Sequence, residues 1–114
     1  MPVNAMQFAR NTVTGTAAAT AGTTQTLAGA TALTASVVSV TTGNANDGVI
    51  LPAGCSAGEE LWVFNLSAVA LKVYPQTGGS INGATASAAH VHAASKPGIY
   101  RSVGSENWMT VLGA

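Results

Sequence analysis

Charge is scarce in this sequence. Its 114 residues carry four basic and four acidic side chains, 7% of the chain, against about 25% in an ordinary globular domain. A nucleic-acid binder needs a basic patch or stripe, and four scattered cations do not make one. A surface this poor in charge is also weakly protected against self-association, so neighbours are expected. Cysteine is nearly absent as well. Cys55 stands alone, which excludes an intrachain disulfide and suits synthesis in a reducing cytosol. No apolar run approaches the ~20 residues needed to cross a bilayer. The opening MPVNAMQFARNTVTGTAAATAG has Arg10, but behind it only threonine and alanine, where a secretory signal would place a large-aliphatic core. An ordinary cytosolic start is the expectation. The length suits one domain, and at this size a core can form without covalent staples.

What is present is threonine, alanine and glycine at the start, then β-branched alternation. In TGTAAATAGTTQTLAGAT the interleaved threonines and glycines spoil the helix that the alanines would permit. Residues 1–30 read as an extended arm, entering a first strand near residues 24–27. Residues 31–114 read as a β domain. ALTASVVSVTT alternates, with Leu33, Ala35 and Val37 on one face and Val38 and Val40 on the other. GNANDG is a turn, and VILP is a short strand stopped by Pro52. ELWVFNL is apolar on both faces, the pattern of a central strand buried on both sides. VALKVYP points Val69, Leu71 and Val73 inward and Lys72 and Tyr74 outward. Gly78-Gly79 and Asn82-Gly83 are turn signals, followed by the strands HVHAAS, GIYRSV and NWMTVL. Short strands punctuated by Gly, Pro or Asn spell an all-β fold, expected here as an antiparallel β-sandwich or jelly roll.

One stretch mimics an enzyme. Gly54-Cys55-Ser56-Ala57-Gly58 matches G-x-S-x-G, the nucleophile elbow of serine esterases. That elbow needs a strand before the serine and a helix after it, and Ser56 is followed by the strand LWVF. A tight glycine turn explains the match better, so no catalytic residue is expected. His90 and His92, at i and i+2 of a strand, share a face. Two histidines begin a metal site without completing one, and only a symmetry axis would multiply them. They read instead as a solvent-facing or interface pair, with no metal and no cofactor. Cys55 lacks a neighbouring cation to activate it. Glu59-Glu60 reads as a solubilising guard before an apolar strand. Trp62, Phe64, Tyr74, Tyr100 and Trp108, spread along the strands, read mainly as core and rim.

The run GVILPAGCSAGEELWVFNLSAVALKVYPQTGGSING, completed by GSENWMTVL, resembles a pattern in small virion proteins of tailed bacteriophages. The matching residues are Gly48 to Pro52, Asn65-Leu66, Val73-Tyr74-Pro75, Ile81-Asn82-Gly83 and Trp108. Cys55 and HVHAASKPG depart from it. The resemblance implies a capsid decoration (cement) protein of the virion exterior, made in the host cytoplasm. Its expected partners are the major capsid protein lattice and further copies of itself, a trimer being favoured, with no nucleic acid and no membrane. Met6, Phe8 and Arg10 are then the expected anchors of the arm on the capsid or an adjacent protomer, with His90 and His92 as further contacts. The alternative is a fibre- or tail-associated module that binds a receptor glycan through exposed aromatics such as Tyr74 or Tyr100.

Overall fold

β-Branched residues at alternating positions favour pleated strands that bury one face, and the chain forms strands throughout. The computed structural model describes residues 16–112. In them lie β1 (Thr16–Thr20), β2 (Thr31–Ala32), β3 (Val37–Thr41), β4 (Gly48–Ile50) and β5 (Glu60–Asn65). These are followed by β6 (Leu71–Tyr74), β7 (Ser80–Ile81), β8 (His90–His92), β9 (Pro97–Gly104) and β10 (Asn107–Leu112). Sheet A has the order β1-β3-β5-β9-β10-β7, and sheet B the order β2-β4-β6-β8. The chain thus changes sheet after each strand until β9.

Each return runs in the same direction as the strand before it. β1, β3 and β5 are parallel neighbours, and so are β2, β4 and β6. Thr16, Val37 and Trp62 share one register line, and Thr31, Val49 and Val73 share another. The result is a solenoid-like stack of coils, each giving one strand to each sheet. Its far end reverses: β8 lies antiparallel on β6, β9 antiparallel on β5, and β10 folds back on β9.

The all-β expectation therefore holds, with no helix among the described residues. The antiparallel expectation does not, because five of the eight strand pairings are parallel. Parallel neighbours need a crossover, and here the crossover is the strand in the other sheet. The first strand also lies earlier than expected, at Thr16–Thr20, while residues 24–27 form turns and bends. Residues 16–30 thus belong to the body rather than to an arm. Met6, Phe8 and Arg10 lie outside the described residues.

The core sits between the sheets. Val38, Val40, Leu61, Val63, Tyr100 and Trp108 enter it from sheet A, and Val49, Leu71 and Val73 from sheet B, all buried. Val38 stacks beside Val63, and Val49 beside Val73, in register. Each such side chain contributes roughly 1.5–3 kcal/mol of burial. The turns leaving sheet A stack as well. Asn65, buried at the end of β5, donates from Nδ2 to the carbonyls of Val69 (2.9 Å) and Ala93 (3.3 Å), and its Oδ1 accepts the Ser67 N–H. Ser67 Oγ in turn accepts the Thr42 N–H from the preceding coil at 2.8 Å.

Two expectations about faces change. β5 is central in sheet A but buried on one side only: Trp62 is 39% exposed and Phe64 half-buried. Tyr74 points outward as its alternation predicts, yet it is only 7% exposed. The segment around Gln25 covers it and accepts its hydroxyl at 3.1 Å. The ring lies so close over Gly48 that a Cβ there would sit 2.9 Å from it.

Candidate interaction surface

Alternation along β3, β5, β9 and β10 sends every second side chain to the outer face of sheet A. Register aligns four of them across the sheet: Val37 opposes Trp62, Trp62 opposes Ile99, and Ile99 opposes Val111. Trp62 stacks on Phe64 with ring centroids 6.2 Å apart. Met109 and Val111 stand exposed, Val111 at 72%. Beside Ile99 lies a shallow hollow of about 380 Å³ lined by Glu60, Ile99, Arg101, Met109, Thr110 and Val111. Its charged groups satisfy each other, since the Arg101 guanidinium pairs with the Glu60 carboxylate. Single exposed apolar side chains are ordinary, but a contiguous row marks a contact surface.

The edge of the same sheet is equally bare. Among the described residues β1 pairs on one side only, with β3. Its sequence, TAAAT, has neither the lysine nor the proline by which edge strands discourage further pairing.

The histidine pair has a different place from the one its sequence suggests. His90 and His92 do share a face, and it is the inner one. His92 is fully buried, so it is no surface contact. Its Nε2–H donates to the Lys96 carbonyl at 2.7 Å, which leaves Nδ1 to accept the Tyr100 hydroxyl at 2.8 Å. The rings of His92 and Tyr100 stack at 5.9 Å, and His90 meets Tyr100 edge-on at 6.1 Å. Burial lowers the pKa of both imidazoles; for His92 the Lys96 carbonyl opposes this and the neighbouring His90 adds to it. Burial pushes the Tyr100 hydroxyl up. The cluster therefore holds neutral imidazoles and a protonated phenol: a polar clasp across the core. Tyr100 is fully buried and Tyr74 nearly so, so neither offers the exposed sugar platform of the glycan alternative.

Ser56 lies exposed in the turn from β4 to β5, between Gly54 and Gly58, both with left-handed φ (73° and 96°). Glu59 is buried and is no solubilising guard: its carboxylate accepts the Ser56 N–H and so closes the turn. Cys55 is buried beside it. Among the described residues no three His, Cys, Asp or Glu side chains gather as a metal set, and no helix is long and apolar enough to cross a membrane. The outer row of sheet A was legible in part, since Trp62 sits at an alternate position in ELWVFNL; only the strand pairing shows which residues continue the row. No protein-family model, curated protein or solved structure matches the chain.

Proposed function

We propose that the protein is a non-enzymatic structural component of a virion that decorates a capsid by binding the major shell protein from outside. The observation that carries this reading is the β1 edge of sheet A, where among the described residues β1 pairs with β3 alone and its TAAAT sequence carries no lysine or proline. A partner strand laid along β1 gains main-chain hydrogen bonds and asks little of the side chains, which suits a Thr/Ala strand repeated over many equivalent lattice sites. The low charge supports the same role, because a chain with four cations and four anions, two of the anions (Asp47 and Glu59) being buried, has few charges to desolvate in protein contacts. Residues 1–15 precede β1 in the sequence, and the expected anchors Met6, Phe8 and Arg10 are among them.

The test is binding to bare capsid shells in cosedimentation. Deleting residues 2–15 leaves β1 in place and should abolish binding while the far-UV circular dichroism of the β body is unchanged. Ala18→Lys, which puts a charge on the edge strand, should weaken binding at least tenfold. Full occupancy by both variants would refute the proposal.

A further inference from the structure

We propose that the outer face of sheet A binds a second copy of this chain as a two-fold pair centred on Ile99. The face carries both halves of a fitted contact. Trp62 projects from β5 on one side of Ile99, and on the other side Met109 and Val111 of β10 line the hollow, which runs past Arg101 to Glu60 on β5. A two-fold operation through Ile99 carries the indole of each copy towards the hollow of the other. That is what a self-complementary, isologous interface requires. Tryptophan and arginine are also the side chains most often found at the energetic centre of such contacts. The Arg101 guanidinium at the rim can stack on an arriving indole, as cations do over aromatic faces.

Charge favours the same occupant. A strongly acidic or basic partner would need a net field to recognise, but Glu60 and Arg101 on this face already pair with each other. A second copy brings an equally neutral face. Among the described residues the outer face of sheet B offers less, because the segment around Gln25 covers Tyr74 and Val91 is left as its exposed large apolar side chain.

Size sets the strength. The four strands β3, β5, β9 and β10, spaced about 4.8 Å apart, with about five residues each at about 3.4 Å, present roughly 300 Å² in plan. That is well below the ~800 Å² per partner of a standard stable interface. The pair is therefore concentration-dependent rather than obligate, and it does not depend on what the edge of sheet A binds.

Sedimentation equilibrium of the full chain tests it, from about 10 µM to about 1 mM, where a contact below standard size is expected to assemble. The wild type should pass from monomer to dimer across this range. Trp62→Glu and Val111→Glu, both at exposed positions, should remain monomeric with unchanged circular dichroism. Ile99→Cys in a Cys55→Ala background should be captured as a dimer by a short thiol–thiol cross-linker. Val91→Cys on β8, exposed on the other sheet, should not. A wild type that stays monomeric to the top of the range overturns the proposal. So do a trimer or larger species as the end state, a dimer untouched by both glutamates, or capture at Val91 but not at Ile99. Should a glutamate variant unfold, the cross-linking pair alone decides.

Discussion

Replacing Tyr100 by phenylalanine removes one oxygen and keeps the ring. In the folded protein that oxygen lies 2.8 Å from His92 Nδ1, and both side chains are fully buried. Because the His92 Nε2–H is committed to the Lys96 carbonyl, Nδ1 of the neutral ring is an acceptor and the hydroxyl must donate. Phenylalanine leaves that acceptor buried and unpaired. A stranded buried acceptor costs about 1–3 kcal/mol, so about 2 kcal/mol of stability should be lost. The ring stacking at 5.9 Å survives, which keeps packing out of the difference. Urea denaturation at pH 8 reads the loss as a lower midpoint with an unchanged slope. A double-mutant cycle with His92→Phe isolates the pair, and a coupling of about 1 kcal/mol is expected for residues sharing one hydrogen bond. A loss under about 0.5 kcal/mol, or full additivity in the cycle, would refute the clasp.

Acid should weaken the fold as the pH falls through the histidine range. Both histidines have pKa values held below 6.5 by burial, so the unfolded chain binds protons first as the pH falls. Stability is then flat above about pH 7 and declines below about 6.5. Buried His92 contributes up to about 1.4 kcal/mol per pH unit until the folded form also takes up its proton. Chemical denaturation at pH 7.5, 6.5 and 5.5 measures this; a flat profile contradicts it, and His92→Phe should reduce the slope. Asn65→Ala should cost about 2–3 kcal/mol by stranding the carbonyls its amide satisfies, read as a lower urea midpoint. Gly48→Ala should destabilise by at least 1 kcal/mol, on the scale of overpacking, since its methyl would meet the Tyr74 ring. Gly48→Ala combined with Tyr74→Leu should recover part of that loss.

The strands themselves were legible because alternation is a local signal. Leu71 and Val73 turn inward as their spacing says, while the spacing of Val38 and Val40 gave a shared face without saying that it is the inner one, and Leu33 and Ala35, expected on the face opposite them, are buried as well. Strand direction is not local. A glycine-rich stretch such as residues 53–58 looks the same whether it closes a hairpin or carries the chain to the opposite sheet, and the second happens here. Exposure also depends on what lies above a face. Trp62 and Tyr74 both point outward, but only Tyr74 has the segment around Gln25 over it. The i, i+2 spacing of His90 and His92 correctly gave a shared face. That this face is the core follows from β8 pairing with β6 opposite Tyr100 in the other sheet, a contact between residues of different sheets. Ser56 shows the same limit in reverse: five residues matched a motif whose chemistry depends on a strand and a helix around them.

Quantitative mass spectrometry of purified particles, with the copy number of this chain taken against the major shell protein, tests the proposed role most directly. A lattice-wide role requires hundreds of copies in a fixed ratio to the shell subunit. A handful of copies would place the chain on tail or fibres, and none would remove it from the virion; either contradicts a lattice-wide structural role.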